Sequence, residues 1–195
     1  MKRIIIFAVF VLFTLSNVAA ISSDLKDSYL QRETMIGKFS GSILSPITRE
    51  QVSLVKDEHI QVGFDYGVKE INGEQFIWLG APQNSGNYTL IVEDVLAIQD
   101  GTPQVIEYRK NFFVGNTSTD YSIEPGIIYA NDDFEIKANL YEDIGKTISV
   151  SFPETRNVVL NPGVNNIDFS IKDFVGENLV QISVGKYSVP AFIIG

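Results

Sequence analysis

Cysteine is absent from the 195 residues, and histidine and tryptophan occur once each. Without thiols there is no disulfide framework, no thiolate metal site and no lipid anchor on an N-terminal cysteine, so the core must hold by apolar packing. One imidazole and no thiol would leave a tetrahedral zinc site mostly carboxylates, an uncommon set for that metal. Positive charge is also scarce: 15 Lys and Arg face 24 Asp and Glu, a net charge of −9. That balance argues against nucleic acid and anionic lipid as partners, because both are recognised through clustered cations. Beyond the N-terminus no apolar run is long enough to cross a bilayer, so no membrane insertion is expected after that segment.

The one long apolar run, Ile4–Leu15, follows Lys2 and Arg3 and leads into Val18-Ala19-Ala20. This order matches an export signal with cleavage after Ala20. Thr14, Ser16 and Asn17 interrupt the run before the roughly 20 apolar residues of a membrane span. Removing residues 1–20 deletes two of the 15 basic groups, leaving 13 against 24 acidic, or −11. The expectation is a secreted or extracellular protein, or one of the cell envelope.

Short strands with turn chemistry between them fill the remainder, so the expected fold is all-β. Ile60, Val62, Phe64, Tyr66 and Val68 alternate with mostly polar or small residues, as along one half-buried strand. Asn72-Gly73 then supplies the positive φ angles of a type I′ hairpin turn ahead of Phe76-Ile77-Trp78-Leu79. Asp100-Gly101 can turn the chain between Tyr88–Ile98 and Val105–Val114, within a longer loop. Downstream, the same period runs through Phe134, Ile136, Ala138 and Leu140; Ile148, Val150 and Phe152; Ile167, Phe169 and Ile171; and Val180, Ile182 and Val184. Pro125-Gly126, Asp143 with Gly145, Pro162-Gly163 and Gly176 separate these strands. Pro190 in the last run predicts an edge strand or a bulge.

The polar segment 116–120 has linker chemistry and divides the chain into β-sandwich domains at 35–115 and 121–195. Residues 21–34, with Leu25, Tyr29 and Leu30 at helix-like spacing, form a short polar lead-in arm to the first domain.

Gly86-Asn87-Tyr88-Thr89-Leu90-Ile91-Val92 follows the Gly-x-Tyr-x-Leu-x-Val pattern of late strands in immunoglobulin-like and fibronectin-like domains of microbial surface proteins. Gly176 with Val180, Ile182 and Val184 is a looser version. Glu33–Val68 together with the later strands also resembles exported tandem β-sandwich proteins of archaea. The resemblance implies two tandem antiparallel immunoglobulin-like β-sandwiches after a signal peptide. It transfers no functional residue, because this fold class hosts many unrelated activities.

No reaction centre emerges from the motifs. His59 lies in the polar cluster Lys56-Asp57-Glu58-His59 and reads as a solvated turn, and no Gly-x-Ser-x-Gly elbow accompanies it. Gly145-Lys146-Thr147 looks like the end of a phosphate-binding loop, but Leu140 stands where that loop requires glycine. Glu58, Glu93, Asp94 and Glu107 have the residue type for a glycosidase pair, with nothing in the sequence to bring them together. Asn131, Asp132, Asp133 and Glu135 offer oxygen ligands for a structural calcium, without EF-hand spacing; no other cofactor is expected. Tyr66, Phe76, Trp78, Tyr88 and Tyr108 could form a sugar-stacking platform, although their registers place most of them, Trp78 included, in the first core. Asn87 and Asn116 head glycosylation sequons. The functional expectation is a non-enzymatic surface or envelope module for spacing, adhesion or assembly, with other surface proteins or glycans as partners. The alternatives are a carbohydrate-binding or carbohydrate-active protein and a subunit of a strand-exchanging assembly.

Overall fold

Residue alternation decides the elements. In the computed structural model, which describes residues 21–172 and 177–194, nearly every run of period-two hydrophobicity is a strand. The expected signal peptide and the turn at Gly176 lie outside the described residues.

The first block contains β1 (Ile21–Ser23), β2 (Ser28–Gln31), β3 (Thr34–Gly41), β4 (Val52–Lys56), β5 (Ile60–Gln61), β6 (Tyr66–Ile71), β7 (Glu74–Gly80), β8 (Gly86–Gln99) and β9 (Thr102–Ser118). They make two sheets, ordered β1-β3-β7-β6 and β2-β9-β8-β4-β5. The second block contains β10 (Tyr121–Glu124), β11 (Ile128–Ala130), β12 (Phe134–Leu140), β13 (Lys146–Ser151), β14 (Thr155–Leu160), β15 (Gly163–Phe169), β16 (Glu177–Val184) and β17 (Tyr187–Ile194). Its sheets are β10-β12-β15 and β11-β17-β16-β13-β14. Pairing is antiparallel throughout, except where β2 lies parallel to β9 and β11 parallel to β17. In the first block β1, β3, β7 and β6 stand in the A-B-E-D order, and β9, β8 and β4 in the G-F-C order, of an immunoglobulin sandwich. Tyr88 reinforces that match. It sits near the start of β8 with its hydroxyl donating to the Asn84 carbonyl at 2.8 Å, which is the tyrosine corner of this fold.

Each block has its own core. Leu54, Leu79, Leu90 and Val92 centre the first; Ile136, Val150, Ile182 and Ile193 centre the second. A third cluster of Ile71, Phe76, Ile127 and Phe192, with Trp78, Leu179 and Ile194 packed against it, joins the two. It forms because β7 is apolar on both faces. Ile77 and Leu79 point into the first core, while Phe76 and Trp78 face the second sandwich. Apolar interfaces of this kind suppress relative domain motion.

Several expectations are corrected. Residues 21–34 are not an arm: Ile21, Leu25 and Tyr29 are buried in the first core, with β1 and β2 paired into its two sheets. Segment 116–120 is not a free linker, because β9 continues to Ser118 alongside β2. Thr119 is buried, donating its N–H to the Gln31 carbonyl at 2.9 Å. The alternation from Ile60 to Val68 spans two strands rather than one. Ile60 is 58% exposed on β5, whereas Val62, Phe64, Tyr66 and Val68 pack on the core while the chain crosses to the opposite sheet as β6. Asp100-Gly101 makes a two-residue hairpin without a longer loop, since Gln99 already pairs with Thr102. Pro190 lies in a strand paired on both sides with no shift of register. The ladder to β11 begins one residue later, at Ala191, so the missing N–H costs no bond on that side.

Candidate functional site

The turn joining β4 to β5 carries Asp57 and Glu58 at positive φ, and His59 is exposed at its end. Of the carboxylates weighed as a glycosidase pair, Glu58, Glu93 and Glu107 act on one cation, Arg109. Arg109 bonds Glu107, and this bond, reinforced by the charges of Glu58 and Glu93, pushes the guanidinium further toward its charged form. Glu93 and Asp94 occupy an irregularity between β8 and β9, where the Gln51 amide donates to both backbone carbonyls at 2.9 and 2.8 Å. Gly145-Lys146-Thr147 opens β13, and Lys146 pairs with Asp120.

Asn131, Asp132 and Asp133 are exposed ahead of β12, with Glu135 exposed within it. Asp133 accepts from the Ile171 N–H and the Ser170 hydroxyl, each at 3.0 Å, and these bonds hold its carboxyl below the usual carboxylate range. It therefore ties two loops together. Among the described residues no three His, Asp or Glu side chains gather into a metal-binding group. Both sequon asparagines, Asn87 and Asn116, are exposed, while the Thr89 hydroxyl is taken up by Asn111 at 2.8 Å.

Among the aromatics, Tyr88 and Tyr108 are in the first core, and Tyr66 packs on it stacked against Phe64. Phe76 and Trp78 are not there; they turn outward to the junction. The signal for this was present in Phe76-Ile77-Trp78-Leu79, a run without polar alternation, which is how a strand covered on both faces reads.

A network of buried hydrogen bonds spans that junction. Thr34 of β3 bridges to β10, its hydroxyl donating to the Ile123 carbonyl at 2.7 Å and accepting from the Ile123 N–H at 2.8 Å. Tyr187 donates to the Tyr121 carbonyl at 2.8 Å. Burial pushes the hydroxyls of both tyrosines toward their neutral form. Asp120 accepts from Lys146, Lys186 and the Tyr121 N–H. Burial draws its pKa upward, but these donors together outweigh it and hold the carboxyl well below the usual range. Above this network lie two adjoining clefts, of about 240 and 290 Å³, which share Trp78 and Glu124. The first is completed by Arg32, Phe64, Asp65, Gln83 and Tyr141, the second by Pro125, Glu135 and Lys137. Arg32 lies over the Tyr141 ring, 5.0 Å from its centroid.

A larger groove of about 510 Å³ runs over the outer face of β8 and β9, lined by Asp27, Asp57, Asn87 and Asn111. Some of its polar groups are committed: Asp27 pairs with Lys110 at 2.5 Å, and Asn111 with Thr89.

Strand order and the tyrosine corner define the class: tandem immunoglobulin-like β-sandwiches, docked on each other. No family model matches the chain, and no curated protein does. Among solved structures it is similar to trypsin-activated alpha-2-macroglobulin from Escherichia coli, at 8% identity and a TM-score of 0.27, covering 89% of this chain and 17% of that one. It is also similar to the adhesin InvE of Yersinia pseudotuberculosis, at 12% identity and a TM-score of 0.29, covering 91% of this chain and 61% of that one. The chain thus spans less than two thirds of each protein.

Proposed function

We propose that the protein is an exported, non-enzymatic module of the cell surface or envelope that serves adhesion or assembly. The supporting observation is the third apolar cluster. It fixes one sandwich against the other, so that surfaces from both are held in a constant relation, as recognition by contact requires. A spacer needs no such interlocking. The export part of the reading rests on the N-terminal pattern, and the likeness to archaeal exported proteins rests on sequence pattern alone. Other envelope proteins or glycans are the proposed partners, and the acidic balance disfavours nucleic acid.

Fractionation of the source cells tests this, with an antibody against the folded chain and intact-mass analysis of the recovered protein. The expected result is an envelope or extracellular species beginning near Ile21. A cytoplasmic species retaining Met1 would reject it. A carbohydrate-binding role is favoured as a second reading by one observation, the aromatic cleft at the junction.

A further inference from the structure

We propose that the paired clefts around Trp78 form one binding groove for a neutral oligosaccharide. This deepens the surface-module reading, on which it depends only for where the ligand is met.

The chemistry of the lining carries the inference. A sugar ring presents an apolar C–H face, which packs on aromatic rings, and an edge of hydroxyls that both donate and accept. Planar carboxylate, amide and guanidinium groups suit such an edge. Trp78 supplies the ring at the point where the two clefts meet, and Tyr141 and Phe64 line one end. Arg32, Asp65, Gln83, Glu124 and Lys137 supply the planar and charged groups along the walls. Among the described residues, the side chains of Asp65, Glu124, Glu135 and Lys137 have no protein partner, and the larger groove on β8 and β9 has no tryptophan in its lining.

Trp78 is also fixed in advance. A Cβ on Gly67, its cross-strand neighbour, would lie 2.4 Å from the indole Nε1, and one on Gly126 would lie 2.6 Å from the Trp78 Cβ. Both positions must be side-chain-free for the tryptophan to sit between the sandwiches as it does. A ring held this way loses little freedom when a ligand arrives. The groove needs both halves of the chain: Trp78, Arg32 and Asp65 come from the first sandwich, Glu124, Tyr141 and Lys137 from the second. Docking the sandwiches therefore creates the site. Three carboxylates against two cations, in a chain of net charge −9, oppose an anionic glycan.

Because Trp78 is the only tryptophan, its emission reports on this groove alone. The experiment screens the purified exported chain on an array of neutral β-linked glucose, mannose and N-acetylglucosamine oligomers, with sulfated and uronic-acid glycans alongside. Each hit is then titrated by tryptophan fluorescence and calorimetry. Saturable emission changes with a neutral oligomer are expected. Trp78→Phe, followed by calorimetry, should weaken binding about tenfold or more, and Glu124→Gln several-fold, with melting curves showing both variants folded. Asn111→Ala, in the other groove, should leave affinity unchanged. Binding of anionic glycans alone, no neutral hit, or full affinity in folded Trp78→Phe would each overturn the proposal. Loss of binding in Asn111→Ala would move the site to β8 and β9. Cell fractionation separates the two failures: a surface protein that ignores glycans keeps the module reading and loses the groove, and a glycan-binding cytoplasmic protein does the reverse.

Discussion

The two sandwiches share one connectivity until the strand that follows C, and there they part. After β4 the first makes a two-residue strand, β5, and crosses at once to the opposite sheet, where β6 covers the edge of β7. After β13 the second stays on its own sheet for the six residues of β14. It then turns through Asn161-Pro162-Gly163 directly into β15, which is left as an uncovered edge. Asn165 closes that turn, accepting from the Asn161 N–H at 2.8 Å and donating to the Asn161 carbonyl at 2.7 Å. The turn, then, decides whether a fourth strand forms. In the first sandwich Val62 and Phe64 take core positions during the crossing, so apolar side chains stay covered although the ladder is broken. In the second, an arginine does part of the work of the missing strand: Arg156 donates to the Asp168 carbonyl on the open edge of β15.

The largest effect is expected at the equivalent strands β8 and β16. Leu90 and Ile182 are both fully buried, and truncating either to alanine should cost about 2–5 kcal/mol in denaturant unfolding. If the docked sandwiches act as one unit, each variant will unfold in a single transition. A Leu90→Ala protein whose second half melts unchanged would show two independent domains. Next in size is the junction itself. Phe192→Ala should cost about 3 kcal/mol and split unfolding into two steps, read by calorimetry, with both sandwich cores intact. A single unaltered transition would mean that the third cluster contributes nothing to coupling.

Two smaller effects sharpen the contrast. Tyr88→Phe removes the tyrosine corner of the first sandwich only, and should lower stability by about 1 kcal/mol. Asp120→Asn should cost about 1 kcal/mol or less, because the partner lysines are partly exposed. Its folded-state pKa is depressed, so the advantage of Asp120 over asparagine is full above about pH 4, near the unfolded value, and fades as pH falls below it. A stability difference that persists unchanged at pH 2 would show that geometry, not charge, is what Asp120 contributes.

Elements with one wet and one dry face were legible in the sequence. Phe134 to Leu140 and Val180 to Val184 alternate cleanly because nothing covers their outer sides. Asn72-Gly73 was legible for a local reason, its φ angles of 52° and 76° being those of the turn its residue types favour. What stayed hidden was the identity of hydrogen-bond partners. Side-chain period is the same whether a strand continues or changes sheets, so Ile60 to Val68 gave no sign of its break. The junction was legible only in part: the unbroken apolar run Phe76-Ile77-Trp78-Leu79 marks a strand covered on both faces, not what covers it. Phe76 and Trp78 are apolar like any core residue, and only the second sandwich, distant in sequence, shows which core they serve. Tyr88 stood out in the sequence only within the Gly86–Val92 strand pattern, and its bond to the Asn84 carbonyl emerged with the fold.

The parallel pairings of β2 with β9 and of β11 with β17 have a mechanical consequence. In each sandwich they couple a strand near the entering end of the chain to the one near its exit. A pull on the two ends drags such neighbours in opposite directions along their common axis. All the bonds of the patch are then loaded at once, in shear, instead of opening one by one as in a peeled hairpin. Anchored at one end and gripped at the other, each sandwich meets tension with its strongest geometry.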